Sequence, residues 1–370
     1  MKTPIFNLNN ETLNMIATID EFKGEWKALK NMQPDILMHL KKVATIESIG
    51  SSNRIEGNKL SDKEIENLLS NLKTYSFKNR DEEEVAGYAE LSNLIFDDYE
   101  IIPFNENYIK QMHSILLKYS SKDERHRGEY KSLPNSVSAY DENGNEIGVI
   151  FETATPFDTP RLMEELIIWT SDTLKNKTIH PIITISIFIL HFLAIHPFQD
   201  GNGRMSRILT NLLLLKSGYN YVAYSSLEAV IEDNKSSYYL SLRQTQATLK
   251  DENPNYDYWI SFFIKSLEKQ KVRLEYKIEH MDKTSKTSDI RKFEKDESSK
   301  NSIIDLNSLP ETAVKIINLF NNEDRVDINY IKNNIDDSEN KIKRALLLLQ
   351  EKNIIKKYGT TRGAWYVKVH

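Results

Sequence analysis

The sequence predicts a mostly α fold that carries one β-hairpin, followed by a small C-terminal domain of three helices and a second hairpin. Three observations predict it. Apolar residues recur at three- and four-residue spacings along most of the chain, the period of amphipathic helices. Strand-prone runs are few: residues 137–140 and 147–150 flank Asp141-Glu-Asn-Gly144, and an Asn-Gly step between short β-prone runs is a hairpin signal. Across residues 283–302 large apolar side chains almost vanish among Lys, Asp, Glu, Ser, Thr and Asn, which predicts a linker.

The elements follow in order. Residues 12–40 carry amphipathic helical spacing. Ser61-Asp-Lys-Glu64 is a capping box ahead of Ile65, Leu68 and Leu69, because the Ser and Glu side chains satisfy backbone N–H groups that a helix start leaves free. Residues 82–96 and 107–119 read as further helices, and the hairpin comes next. After Pro160 two helices are expected, over 161–176 and 181–195. A third runs to about Lys216 and is stopped by Gly218. Helices then fill 226–250 and 256–280. Beyond the linker, Val314, Ile316, Ile317, Leu319 and Phe320 predict a helix over 311–320, with others over 328–335 and 339–352. Residues 354–358 and 364–367 read as strands around a turn at 359–363, completing a winged helix-turn-helix pattern. The expected division is an N-terminal helical region 1–100, a core 101–282, the linker 283–302 and a winged helix 303–370.

The bulk numbers narrow the function. The chain has 370 residues, is 39% hydrophobic and 28% charged, and so can bury a real core. A net charge of -5 argues against a molecule built to coat nucleic acid or an anionic membrane. With no cysteine, disulfides and Cys-based zinc sites are excluded, which is compatible with a cytoplasmic location. The N-terminus, Met1-Lys-Thr-Pro-Ile-Phe-Asn, lacks the apolar core of a signal peptide. The most apolar run, residues 182–195, is shorter than the roughly 18 residues that span a bilayer and reads as a buried helix.

That run leads into His196-Pro-Phe-Gln-Asp-Gly-Asn-Gly-Arg-Met-Ser-Arg207. Gly201-Asn202-Gly203 can adopt positive-φ conformations that turn successive N–H groups to one concave side, and such a nest at a helix N-terminus binds anions. Arg204 and Arg207, three residues apart, offer planar guanidinium groups to phosphate oxygens. Asp200 is a hard oxygen ligand suited to Mg²⁺, which takes one or two carboxylates plus substrate phosphates. His196 titrates near neutrality and can accept a proton from an attacking hydroxyl. Phe198 is expected to point into the core and anchor the loop. No Walker pattern occurs, which excludes a P-loop NTPase.

These twelve residues resemble the Fic signature, His-x-Phe-x-[Asp/Glu]-Gly-Asn-Gly-Arg-x-x-Arg, at every defined position. The wider resemblance covers roughly residues 40–265, with Gly128-Glu-Tyr130 upstream and Trp259-x-x-Phe262-Phe263 downstream. The resemblance implies a Fic-type helical core with the hairpin as a flap, and transfer of AMP from ATP to a Ser, Thr or Tyr hydroxyl of a target protein or of the chain itself. It implies that His196 deprotonates the hydroxyl, Asp200 holds Mg²⁺, Gly201, Asn202 and Gly203 bind the α- and β-phosphates, and Arg204 and Arg207 bind the β- and γ-phosphates. It points to Tyr238, Tyr239 and Asn234 for the adenine, and to the flap's edge for pairing with the target's backbone.

Ser52-Asn-Arg-Ile-Glu56-Gly57 resembles the family's inhibitory motif, [Ser/Thr]-x-x-x-Glu-[Gly/Asn], placed N-terminal to the core. A helix bearing Glu56 and ended by Gly57 would set a carboxylate against Arg207 and occupy the arginine that the γ-phosphate needs. Other readings stay open. Glu56 could orient a water that removes AMP from a modified protein. The chain could be a winged-helix regulator whose nucleotide pocket only senses. A metallohydrolase using His196 and Asp200 finds no second histidine or carboxylate at ligand spacing. From residue 341 to the end, eight basic side chains face Glu351 alone, so the third helix and wing are expected to grip DNA phosphates or dock a protein. Leucine-rich helix faces make a homodimer a further expectation.

Overall fold

A computed structural model describes residues 4–28, 34–72, 76–140, 146–285, 310–320, 326–335, 337–351, 354–358 and 365–368. By its internal contacts the chain divides into two units, Met1–Asp282 and Lys283–His370. The first contains α1 (Asn10–Ala28), α2 (Pro34–Ile55), α3 (Asp62–Ser70), α4 (Arg80–Asp98), α5 (Glu106–Leu116), β1 (Ser136–Tyr140), β2 (Glu146–Glu152), α6 (Thr159–Asn176), α7 (Pro181–Ile195), α8 (Asn202–Lys216), a 3-10 turn (Asn220–Tyr224), α9 (Leu227–Asp233), α10 (Lys235–Gln246) and α11 (Asp257–Ser285).

Helix α7 explains the arrangement. A helix that is apolar on all sides must be covered on all sides, and Ile182 to Leu190 and Phe192 to Ile195 are all buried. Its neighbours α6 and α8 pack directly against it. Helix α8 is buried almost throughout, with Met205, Ile208, Leu209 and the run Leu212 to Leu215 in the same core. The loop between these two helices therefore hangs from two fixed ends.

Local chemistry sets the boundaries. Ser61 caps α3 in the expected box, its side chain accepting from Glu64 N while Glu64 takes the cap's own N–H. Helix α2 ends in a left-handed glycine: Gly57 has φ +98°, Gly57 N donates to Arg54 O and Asn58 N to Asn53 O. That pair of bonds is a Schellman cap, and it makes Glu56 the last residue of the helical turn. The helix expected over 226–250 is two helices. Asn234 closes α9 and opens α10, its amide donating to Val230 O. An Asn side chain that competes for backbone partners favours such a break.

The hairpin pairs antiparallel, Val137 opposite Phe151 and Ala139 opposite Gly148, with two register irregularities. Its turn at Asn143-Gly144, most of the expected linker and the turn at 359–363 lie outside the described residues. The second unit contains α12 (Glu311–Leu319), β3 (Val326–Asp327), α13 (Ile328–Asn334), α14 (Glu339–Glu351), β4 (Ile355–Tyr358) and β5 (Trp365–Lys368), with strand order β3-β5-β4. The sequence predicts two strands here, and the structure has three. The third, β3, has only two residues and no periodicity to betray it. Helix α14 buries Ile342, Ala345, Leu346 and Leu349 and leaves Lys341, Lys343 and Arg344 exposed. Among the described residues, no helix is long and apolar enough to cross a membrane.

Two glycines give opposite stability predictions. A methyl group at Gly87 on α4 would collide with the Leu116 carbonyl at the end of α5, whereas one at Gly24 on α1 meets nothing within 4 Å. Gly87→Ala is expected to cost about 1–3 kcal/mol, and Gly24→Ala to add about 0.5–1 kcal/mol. Thermal or denaturant unfolding of the two variants checks this; a neutral Gly87→Ala would overturn the close-approach account.

Candidate active site

The loop after α7 turns on His196, which caps the helix in the left-handed region at φ 53°. For a non-glycine residue that conformation is strained and persists only where its surroundings hold it. Here its N–H returns to Phe192 O at 2.8 Å. Nδ1 of the half-buried ring lies 3.3 Å from Leu193 O, so Nδ1 carries the proton and Nε2 keeps its lone pair. Burial pushes the imidazole from its ordinary 6.5 down to about 4, with Lys131 adding to the shift and Leu193 O, Glu56 and Asp200 opposing it. At neutral pH the ring is an unprotonated acceptor.

Two further groups hold the loop. Phe198 is fully buried and stacks on His113, ring centroids 3.8 Å apart. Asn202 bridges back, its amide donating to Phe198 O at 2.7 Å and its oxygen accepting Phe198 N at 2.9 Å. His113 accepts from Gly128 N at Nδ1, which leaves Nε2–H to donate to Asp200 O at 3.0 Å. This buried ring also has its pKa pushed down to about 4 by desolvation. It fixes the carbonyl immediately before Gly201, whose φ of +79° opens α8. No side chain caps α8 there, so its first N–H groups are available to an anion.

The two arginines of the loop take different partners. Three residues on a helix leave Arg204 and Arg207 about 60° apart, and each meets a different neighbour, Arg204 the start of α4 and Arg207 the end of α2. Arg204 lies 3.3 Å from Glu84 and 3.6 Å from Asp200. Arg80 reaches in from the start of α4, 2.6 Å from Asp200 and 2.7 Å from Glu84. Two cations and two carboxylates thus alternate beside the nest. Burial works against the Asp200 charge, but Arg204, the Gly201 N–H and Arg80 hold its pKa below the ordinary carboxylate value.

Arg207 faces α2. Its Nε donates to Ser52 Oγ at 2.8 Å, and Nη2 donates to Ser52 O at 2.9 Å and to Glu56 Oε1 at 2.8 Å. Arg207 as a whole is 3% exposed. Burial alone would weaken the charge, yet Glu56, with Tyr238 and Tyr88, holds its pKa above the ordinary value. The Glu56 carboxylate also lies against the nest, since a methyl group added at Gly203 would collide with it. Arg207 Nη1 and Arg204 Nε are buried nitrogens without a hydrogen-bond partner. The end of α2 is fixed besides by Arg54, which pairs with Glu232 at 2.7 Å and Asp62 at 2.8 Å.

The residues singled out for adenine separate. Tyr238 is buried, edge-on to Trp259, and borders a cavity together with Ser206 and Arg207. Tyr239 is 41% exposed, and its hydroxyl is 3.5 Å from Ile55 O. Asn234 is engaged by Val230 O and by Lys269 Nζ rather than by the loop. Sequence reasoning missed Arg80, Glu84, His113, Lys131 and Asn135, all distant in the chain from the loop they touch. Only Gly128-Glu-Tyr130, immediately before Lys131, gave any signal.

As for a metal, Asp200 is one ionised carboxylate. Among the described residues no group of three or more His, Asp or Glu side chains converges on a cation site. That donor set fits Mg²⁺ held partly by substrate phosphates and not a closed protein cage.

Residues 103–214 match the Fic/DOC family. The chain is 39% identical over 85 residues to a probable protein adenylyltransferase of Aquifex aeolicus, a stretch that is 23% of this chain and 25% of that one. It is 34% identical over 88 residues to the protein adenylyltransferase Fic of Drosophila melanogaster, covering 24% and 16%. The chain thus spans a quarter or less of the length of these relatives. Among solved structures, a Fic family protein from Desulfovibrio desulfuricans has a TM-score of 0.59 at 20% identity, covering 100% of this chain and 98% of that one. A Fic domain containing signaling protein from Bacteroides thetaiotaomicron has a TM-score of 0.56 at 25% identity, covering 69% and 93%.

The histidine environment yields a titration prediction. His113, His191 and His196 all have pKa values pushed to about 4 by burial. Since the unfolded value is about 6.5, the unfolded chain binds more protons between those limits. Stability is therefore full above about pH 6.5 and declines as pH falls toward 4. Histidine NMR titration checks it, and a His196 midpoint near 6.5 would contradict the buried acceptor.

Proposed function

We propose that this chain, which belongs to the Fic family, is a protein adenylyltransferase held in check by Glu56. The observation that carries the reading is the juxtaposition of an acceptor and a phosphate cradle. His196 Nε2 has a free lone pair, and a few residues on, an uncapped helix N-terminus meets buried arginines with unused N–H groups.

The chemistry is a displacement at the α-phosphorus of ATP. The hydroxyl oxygen of a target Ser, Thr or Tyr bonds to that phosphorus. The bond to the oxygen bridging the β-phosphate breaks, pyrophosphate leaves, and the hydroxyl proton passes to His196 Nε2. Gly201, Asn202 and Gly203 cradle the α- and β-phosphates, and Arg204 and Arg207 take the β- and γ-phosphates. Asp200 would hold Mg²⁺, which supplies charge neutralisation on the phosphates. Positioning and electrostatics do most of the work in such a transfer.

Glu56 supports the restraint. Its carboxylate sits where a phosphate would sit, against Gly203 and on Arg207. A triphosphate must displace it or bind with its γ-phosphate out of place. The base pocket is assigned to Tyr238 and Tyr239 of α10, where the Tyr239 hydroxyl comes within 3.5 Å of Ile55 O at the end of α2, with Asn234 turned to other partners.

Glu56→Gly is expected to raise incorporation of label from α-labelled ATP into protein about tenfold or more, the factor that ~1.4 kcal/mol of relieved competition gives. Mass spectrometry for added AMP, on the chain and on candidate targets, checks this. Release of AMP from pre-modified protein that is lost in the Glu56 variant would favour the reverse reaction instead. His196→Ala is expected to cut transfer by about 10²–10⁴-fold while ATP still binds by calorimetry; undiminished transfer removes His196 from the base role.

The exposed Lys343 and Arg344 of α14 favour a second role for the C-terminal unit, which we read as a winged helix gripping DNA phosphates. A salt-sensitive gel shift by the full chain, weakened in Lys343→Glu/Arg344→Glu, is the expected result. No shift at low salt rejects it in favour of a protein-docking role.

A further inference from the structure

We infer that Lys131 is a positioning residue that locks both roots of the β1–β2 hairpin to the turn bearing His196, so that the hairpin and the base form one mechanical unit. The inference rests on the reading of His196 as the base.

The hydrogen bonds around the turn account for four consecutive carbonyls. Ile195 O accepts from Lys131 Nζ at 2.9 Å, and His196 O from Asn135 Nδ2 at 3.4 Å. Pro197 O accepts from Lys131 N at 2.8 Å, and Phe198 O from Asn135 Nδ2 at 2.9 Å. Carbonyls at the end of a buried helix need partners, and a lysine near a helix C-terminus is a common one. A cap alone does not explain the rest. The same Nζ also donates to Asn135 Oδ1 and to Thr153 Oγ1, each at 2.8 Å, and Thr153 Oγ1 in turn donates to Asn135 at its backbone oxygen, 2.7 Å, or its side-chain oxygen, 2.6 Å. Asn135 immediately precedes β1 and Thr153 immediately follows β2. One ammonium therefore ties together the two ends of the hairpin and the last carbonyl of α7.

This arrangement is costly for a mere staple. Lys131 is 3% exposed and its ammonium faces neutral oxygens with no carboxylate among them. Burial alone pulls its pKa down to about 8. A buried cation without a counter-ion is costly to desolvate. Here the charge has a use: it joins burial in keeping the His196 ring unprotonated, while Glu56 and Asp200 push the other way. It also holds the strained left-handed backbone at His196, and with it the direction of Nε2.

The tests use the full chain carrying Glu56→Gly, so that the restraint on Arg207 is lifted in parent and variants alike. In Lys131→Met, kcat for AMP transfer should fall about 100-fold, the order expected when a base is displaced by about an ångström, with ATP affinity within twofold. Lys131→Arg should recover most of the rate. The His196 NMR midpoint should rise in Lys131→Met. Hydrogen exchange should increase together in peptides covering residues 131–140 and 195–203. Unchanged kcat, or a loss shared equally with ATP binding and not rescued by Arg, overturns the inference and leaves Lys131 a structural cap. A Glu56→Gly parent that transfers no AMP refutes the functional reading and this role with it. A parent that transfers normally beside an unaffected Lys131→Met refutes this role alone.

Discussion

An arginine buried to 3% exposure has to have its charge compensated, and the compensation of Arg207 shapes the site. A buried charge that loses its partner costs several kcal/mol. Ser52 meets part of the demand with both its hydroxyl and its carbonyl, and Glu56 supplies the opposite charge. Because Ser52 and Glu56 lie four residues apart at the end of α2, they reach the same group only when that helix ends where it does. The left-handed Gly57 fixes that end. Helix α2 is therefore as much a wall of the site as α8 is. Buried Glu228 ties it in further, accepting from Ser48 on α2, Tyr88 on α4 and Asn211 on α8.

The other side of the site depends on where unsatisfied backbone goes. The end of α7 and the start of α8 leave carbonyls and N–H groups without helical partners. The carbonyls are taken up by Lys131 and Asn135, while the N–H groups are left open. That asymmetry leaves donors unfilled on a rigid frame, the arrangement that suits a negative charge. His113 and Phe198 complete the frame from below, a buried aromatic pair whose polar edge orients Asp200 O.

The loop itself was legible because its chemistry is contiguous in sequence: His196, Asp200, Gly201, Asn202, Gly203, Arg204 and Arg207 fall within one turn and one helical start. Helix positions were legible from periodicity, and the Ser61–Glu64 cap from its spacing. Asn234 was not read as a break, because a polar residue in an amphipathic run looks like part of the solvated face. Arg80 was invisible because it meets Asp200 across 120 residues, and ion pairs between remote segments leave no period in a sequence. The same holds for Lys131, which reads as one more surface lysine until the fold buries it. The two tyrosines differ for a similar reason. Adjacent residues on α10 point about 100° apart, and only the packing of Trp259 decides which of them is interior.

The end of α2 is pinned by Arg54 to Glu232 and Asp62, and further along by Ser48 to Glu228. None of these bonds passes through Glu56. Whatever displaces that carboxylate from Arg207 has to turn one side chain, itself 34% exposed, past the end of a helix that stays seated. Rotamer changes of partly exposed side chains take picoseconds to nanoseconds, whereas undocking a packed helix takes microseconds or longer. Freeing Arg207 from Glu56 therefore calls for no slow rearrangement of the protein.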